Sequence, residues 1–188
     1  MTQDDILDAL LPLVPRLGWT HAALARAAGD AAAAPKGGDA AWAENAFPRG
    51  PRDAIAHWSR RCDAALDAVP LDGLRTPGRI RALIVARLEM AAPHKEALRQ
   101  ALAMLAAPWN APLAAKLTAE TVSAMWYAAG DNSADFSWYT RRATLAAVYG
   151  TTLAFWMTDR SDDMAPTLAF LDRRLADLGK LNRKPKAA

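Results

Sequence analysis

Prolines and glycines divide this sequence into short segments in which apolar residues recur with the period of an α-helix. Nine such segments are predicted, at residues 2–14, 20–29, 39–47, 51–69, 79–90, 94–105, 113–127, 136–158 and 165–178. Alanine, the strongest helix former, is frequent inside them, and we predict no strands. The fold class predicted from this pattern is all-α, with about nine helices.

Composition indicates a globular protein whose charge is concentrated at one end. Hydrophobic residues make up 52% and charged residues 23% of the 188 residues, which argues against general disorder. The net charge is +3, and four basic residues lie near the end of the chain: Lys180, Arg183, Lys184 and Lys186. The remainder is close to neutral and is not an obvious polyanion binder. We predict three regions, namely a degenerate helix-turn-helix-like unit at 1–50, a larger helical domain at 51–180 and a basic disordered tail at 181–188.

Cysteine usage and the first residues bear on the compartment. Cys62 is the only cysteine, which excludes an intramolecular disulfide and a cysteine-based zinc cluster. Acidic residues at Asp4, Asp5 and Asp8 are unlike a transit peptide, so we predict a cytoplasmic location. The uncharged stretch at 143–158 is shorter than the roughly 18 residues of a spanning helix. We interpret it as a buried core helix.

The N-terminal segments have the outline of the helix-turn-helix unit of TetR-type regulators. The second helix of such a unit enters the major groove of DNA, but here it reads DAAWAENA, with no basic residue and with acidic Asp39 and Glu44. Arg49 and Arg52 follow it and are candidates for phosphate contacts. We favour a structural helical cap over a DNA-binding unit. If this unit did bind DNA, the protein would be a TetR-type ligand-responsive transcriptional repressor, and this is the alternative function.

Titratable residues do not form a recognisable catalytic or metal site. His21, His57 and His94 lie on three different predicted segments, without the spaced His or Glu partners of helical metal sites. Asp162 and Asp163 precede the last helix, where we favour capping over catalysis. We therefore predict no catalytic residue, no metal, no cofactor and no enzymatic activity.

Apolar and aromatic residues of the C-terminal segments are candidates for a ligand pocket. Tryptophan and methionine line pockets well, because they offer large or adaptable apolar surfaces. The alternative for each of these residues is ordinary core packing. The predicted lipid-binding residues are Ile84, Leu88, Met104, Trp126, Leu145, Tyr149 and Leu153.

The start of the 136–158 segment has the composition of an interaction surface. Trp138 and Tyr139 are adjacent, so they point about 100° apart on a helix and at least one is expected to be exposed. Asp135, Arg141 and Arg142 lie close by. Tryptophan, tyrosine and arginine are enriched at interface hot spots. A solvated helix start is the alternative.

The sequence DFSWYTRRATLAAVY, followed by WMTDRSDDMAPTLAFLDRRL, resembles the ninth Coq protein family, which comprises lipid-binding accessory proteins of ubiquinone biosynthesis. LVPRLGWTHAAL and AENAFPRG extend the resemblance towards the N-terminus. The resemblance implies a TetR-like fold without DNA binding, a homodimer, and a pocket for an isoprenoid or phospholipid in the larger helical domain. The helical domain at 51–180 is therefore the predicted lipid-binding and dimerisation domain. The implied function is to bind a polyprenylated quinone precursor and present it to a ubiquinone hydroxylase.

The resemblance also assigns interaction surfaces. The family's hydroxylase-binding patch corresponds to Asp135, Trp138, Tyr139 and Arg142. We expect a two-fold dimer through the last two helices, with a leucine stripe in or near the interface, at Leu168, Leu171, Leu175 and Leu178. The basic tail is expected to give weak, transient attraction to the inner face of a membrane.

Overall fold

The computed structural model describes residues 2–31, 40–131 and 137–181, and no strand occurs among them. The predicted all-α fold is confirmed. The helices are α1 (Gln3–Leu10), α2 (Val14–Leu17), α3 (His21–Ala31), α4 (Ala40–Ala46), α5 (Pro51–Ala64), α6 (Thr76–Ala91), α7 (Lys95–Leu105), α8 (Ala111–Ala128), α9 (Ser137–Thr158) and α10 (Ala165–Leu181). Three short 3-10 helices lie at Ala65–Ala68, Ala92–His94 and Pro108–Asn110.

The first predicted helix, at residues 2–14, is two helices in the structure. Thr2 and Asp5 cap α1 reciprocally, each side chain accepting a hydrogen bond from the other's backbone N–H. The predicted segment stops just before Pro15, as if this proline ended the helix, but Pro15 lies in the first turn of α2. A proline fits there because the first N–H groups of a helix have no intrahelical partner.

The chain divides into two compact units, neither of which is continuous in sequence. The first comprises Met1–Cys62 and Ala91–Leu117, and the second comprises Asp63–Met90 and Thr118–Ala188. The predicted division at residue 50 does not coincide with this boundary, because α5 belongs mainly to the first unit. The functional roles assigned to segments 1–50 and 51–180 stay predictions, and residues 182–188 of the predicted tail lie outside the described residues.

The first unit is built around α1 and α3, which pack against each other, while α4 packs on α3 and α2 packs on α7. Its core includes Leu7, Leu10 and Phe47, which are fully buried. The Trp19 indole N–H donates a 2.9 Å hydrogen bond to the Ala97 carbonyl, so α7 is tied to the segment before α3. This contact joins residues near 100 to the N-terminal helices of the first unit.

The second unit contains α6, α9, α10 and most of α8. Helices α9 and α10 pack together, and the Phe155 and Phe170 rings stack with centroids 4.6 Å apart. Trp156 and Met125 are fully buried in its core. No described helix is both long enough and apolar enough to cross a membrane.

Candidate functional site

The second unit contains a cavity of about 390 Å³ between helices α6, α8, α9 and α10. This volume lies within the range of about 300–1,000 Å³ typical of small-molecule sites. Ten residues line it: Thr76, Pro77, Ile80, Trp126, Thr140, Arg141, Thr144, Leu145, Leu175 and Leu178. The cavity therefore draws side chains from four helices that are far apart in sequence.

Burial changes from one part of the cavity lining to the other. Ile80 and Leu145 are buried and apolar, so they form its interior. Thr76, Thr140 and Arg141 are exposed and polar, and they lie where α6 and α9 begin. An apolar interior with a polar edge suits an amphiphilic molecule whose tail leaves water and whose head does not.

The structure brings together two of the seven predicted lipid-binding residues at this cavity, namely Trp126 and Leu145. Ile84 and Leu88 are fully buried on α6 and belong to the packed core of the same unit. Tyr149 is buried and Leu153 is half-buried on α9, and neither lines the cavity. Apolar spacing therefore identified helix faces that are buried or half-buried at these four positions. It did not identify which of these side chains line the cavity, and none of them does.

Met104 is assigned to a different unit from the other six predicted lipid-binding residues. It belongs to the first unit and lines a separate groove there, beside Trp109. Apolar spacing identified a buried-facing side of α7. It did not identify the unit that this side joins, because periodicity within one helix contains no information about its neighbours.

The four leucines of the predicted dimer stripe lie on α10 of the second unit and differ in burial. Leu171 is fully buried, and Leu175 and Leu178 line the cavity. Leu168 is half-buried. Leu175 and Leu178 were predicted for the dimer interface and not for the pocket, although they line the cavity. The dimer itself stays a prediction. The same spacing also fits packing on α9, which the structure shows.

The predicted hydroxylase-binding patch contains side chains in different environments. Tyr139 is 69% exposed, whereas Arg142 is buried at 5% exposure. Its guanidinium carbon lies 5.4 Å from the centre of the Tyr127 ring, and its Nε donates to the Ser123 hydroxyl at 3.3 Å. Trp138 lies in the first turn of α9, and Asp135 falls outside the described residues. Because Arg142 is buried, it can support a docking surface only by packing beneath the exposed residues, and not by contacting the partner directly.

Arg141 and Arg142 share an acidic neighbour at the end of α8. The Arg141 Nη1 lies 3.0 Å from Asp131 Oδ1, and an Arg142 nitrogen lies 3.9 Å from the other carboxylate oxygen. The Asp131 side chain is only 10% exposed. These ion pairs connect the end of α8 to the start of α9 and fix Arg141 at the edge of the cavity.

The described residues contain no group of three or more His, Cys, Asp or Glu side chains that could hold a metal ion. His57 lies 2.8 Å from Asp4, and His21 and His94 lie on other helical segments. Asp163 accepts a hydrogen bond from the Ala165 N–H at the start of α10, which is the capping role favoured from the sequence.

The fold is shared with a solved transcriptional regulator. The TetR transcriptional regulator from Nitrosomonas europaea superposes with a TM-score of 0.74 over 95% of this chain and 98% of that chain. The sequences are 22% identical, so this similarity shows the fold alone. The predicted TetR-like fold is confirmed.

Sequence comparisons place the chain among proteins with one common name. A family model described as COQ9 matches residues 111–182, which cover α8, α9 and α10. The COQ9 ubiquinone biosynthesis protein of Rattus norvegicus is 34% identical over 98% of this chain and 61% of its own length. The corresponding protein of Schizosaccharomyces pombe is 31% identical over 94% of this chain and 70% of its own length.

These relatives correct one prediction and confirm another. Both are named as mitochondrial proteins, which contradicts the predicted cytoplasmic location. Acidic residues such as Asp4 and Asp5 describe local composition and do not determine a compartment. The chain spans about three fifths of the length of the rat relative. The resemblance carried by residues 135–149 and 156–175 is confirmed, and the chain belongs to the COQ9 family, in which the rat and fission-yeast relatives are named as ubiquinone biosynthesis proteins.

Proposed function

We propose that this protein acts in ubiquinone biosynthesis as a non-enzymatic accessory protein that binds a prenylated quinone precursor or a similar lipid. It presents this lipid to a ubiquinone hydroxylase. The cavity between α6, α8, α9 and α10 is the single observation that carries the proposal, because it combines an apolar interior with a polar edge. Family membership supplies the pathway.

The chemistry of the cavity supports binding rather than catalysis. Its lining contains one charged side chain, Arg141, and no His, Cys, Asp or Glu. Acid-base or nucleophilic catalysis requires such groups at fixed spacing. An apolar tail gains about 0.8 kcal/mol for each buried methylene, so binding in this cavity would offset the poor water solubility of a prenyl chain.

The hydroxylase would dock beside the cavity, at the start of α9. Tyr139 is exposed there, and Thr140 and Arg141, which follow it in sequence, line the cavity. This adjacency supports a role in which the bound head group is offered to the partner. We also propose a homodimer through α9 and α10. Sedimentation showing only monomer at micromolar concentration would contradict the dimer.

The first experiment is mass spectrometry of organic extracts of the purified full chain. It is combined with calorimetry using ubiquinone analogues that have progressively longer alkyl tails. Each additional buried methylene should tighten binding roughly fourfold until the tail fills the cavity. The absence of both a co-purified lipid and saturable binding would contradict the proposal.

A matched pair of variants assigns the binding to the cavity. Thr144 lines it, while Thr151, seven residues along the same helix, is exposed. Each hydroxyl donates a 2.7 Å hydrogen bond to the carbonyl four residues earlier, so the two threonines have the same local role. Thr144→Phe should fill the cavity and abolish binding, and Thr151→Phe should not. Equal effects of the two variants would place the lipid elsewhere.

A further inference from the structure

The first unit contains a second groove, also of about 390 Å³, at a point where three helices begin. Its lining combines arginines, aromatic rings and residues at helix starts. They include His21, Arg49, Pro51, Arg52, Trp109 and Asn110. None of the roles proposed above uses this groove.

Three helix N-termini contribute to the groove. His21 begins α3 and Pro51 begins α5, while Asn110 immediately precedes α8. These helices have 11, 14 and 18 residues. The start of a helix carries partial positive charge and N–H groups without intrahelical partners, so it favours anions. Three such starts at one groove favour an anionic ligand more than one alone.

Arg52 adds a full positive charge. Its Nη2 donates a 3.2 Å hydrogen bond to the Trp109 carbonyl, which is a neutral acceptor, and no acidic partner of Arg52 is found among the described residues. Arg49 differs, because its guanidinium lies 2.9 Å from the Asp53 carboxylate. The charge of Arg49 is thus largely compensated, and Arg52 remains as the principal cation of the groove.

Asn110 points to a ligand independently of the helix starts. It is 3% exposed, and its amide nitrogen donates a 2.8 Å hydrogen bond to the Met104 carbonyl, which fixes the side chain. Its Oδ1 is buried and accepts no hydrogen bond from the part of the chain that the structure describes. A buried acceptor without a donor is costly, so a ligand that brings a hydroxyl or amino group is favoured here.

Trp109 provides an aromatic surface beside these polar groups. Its side chain is 75% exposed, the highest exposure among the large hydrophobic residues described. Pro51 and Met104 add further apolar contacts in the same groove. A flat aromatic ring can stack on an exposed indole such as this one, as bases stack on aromatic side chains in proteins that bind single-stranded nucleic acids.

We infer that this groove binds a small organic phosphate that carries an aromatic ring and a hydrogen-bond donor, of the size of a nucleoside monophosphate. The phosphate lies at the three helix starts and against Arg52. The ring stacks on Trp109, and a hydroxyl or amino group of the ligand donates to Asn110 Oδ1. Phosphate suits the site better than a carboxylate because its larger negative charge gains more from the helix starts and its oxygens can accept hydrogen bonds from the Arg52 guanidinium.

The test uses adenosine monophosphate as the probe, with adenosine and inorganic phosphate as its two halves, in calorimetry on the full chain. Adenosine monophosphate should bind more tightly than either half. Arg52→Gln should weaken its binding about tenfold and leave adenosine unaffected, with Arg52→Lys in between. Trp109→Ala should weaken adenosine monophosphate and adenosine while leaving inorganic phosphate unchanged.

Two controls keep the outcome interpretable. Arg60→Gln changes another exposed arginine of α5, and Trp42→Ala changes another exposed tryptophan of this unit. Both should bind like the wild type, and all variants should keep its melting temperature. No binding of the monophosphate, or equal effects of Arg52→Gln and Arg60→Gln, would overturn the inference. So would Arg52-dependent binding of duplex DNA in preference to the monophosphate.

Discussion

Arg87 donates a 2.9 Å hydrogen bond from its Nε to the Oδ1 of Asp63, and both side chains are more than nine-tenths buried. The Thr121 hydroxyl donates to the other carboxylate oxygen at 3.0 Å. Burial nevertheless raises the pKa of Asp63, since loss of water outweighs the attraction of Arg87 and the hydrogen bonds. Removing either Arg87 or Asp63 should therefore strongly destabilise the protein, because the remaining side chain would stay buried without its opposite charge.

Arg87→Met should lower the free energy of unfolding by about 3–5 kcal/mol, because it leaves the Asp63 carboxylate buried without its cation. The matched control is Arg81→Met, which removes an exposed ion pair with Asp172 in the same unit. That change should cost about 0–1 kcal/mol. Urea denaturation measures both, and similar losses for the two variants would contradict this view of the buried pair.

The carboxylate of Asp159 should make the protein sensitive to acid. Hydrogen bonds from the side chains and backbone of Thr167 and Ser161 hold the pKa of Asp159 well below its usual range. A lowered pKa in the folded state contributes stability above the unfolded pKa of about 3.9, and this contribution is lost as the pH falls towards the folded value. Melting temperature should therefore drop below about pH 4.

Asp159→Asn should be less stable than the wild type at pH 7, and the difference should shrink as the pH falls below about 4. Asp162→Asn alters an exposed carboxylate of the same loop and should follow the wild-type profile. Thermal unfolding between pH 7 and 3 measures this. A constant difference between Asp159→Asn and the wild type across that range would show that the carboxylate does not contribute as described.

Two glycines should respond to alanine in opposite directions. Gly50 has φ +64°, and a β-carbon there would collide with the His21 imidazole, so Gly50→Ala should cost about 1–3 kcal/mol. Gly150 lies inside α9 with open space around it, so Gly150→Ala should stabilise the protein by about 0.5–1 kcal/mol. Thermal or urea unfolding measures the change in stability of both variants, and changes of the same sign would contradict the prediction.

Substitution of Tyr139 should affect binding to the hydroxylase, whereas substitution of Arg142 should affect the stability of the fold. Tyr139→Ala removes an exposed side chain and should weaken binding to a ubiquinone hydroxylase while changing stability by less than about 0.5 kcal/mol. Arg142→Met removes a buried guanidinium and should cost about 1–3 kcal/mol. Pull-down and urea denaturation measure the two effects, with Trp42→Ala as the exposed aromatic control. Unchanged hydroxylase binding by Tyr139→Ala would remove it from the docking surface.

Local sequence chemistry accounts for most helix boundaries. Pro51 begins α5 as predicted, and Thr20 accepts a hydrogen bond from the Ala23 N–H at the start of α3. These signals act within one helical turn, so they can be recognised in the sequence without the tertiary structure. Pro15 was misinterpreted because a proline permits both the end of one helix and the start of the next.

The sequence by itself determined the helical segments, the buried faces and, through residues 135–149 and 156–175, the family. Tertiary structure decided which faces meet. It placed Leu175 and Leu178 at a cavity, Met104 in the other unit and Arg142 in the interior. The physical reason is that helical periodicity specifies which side chains share a face, while the identity of the covering surface depends on packing among residues far apart in the chain.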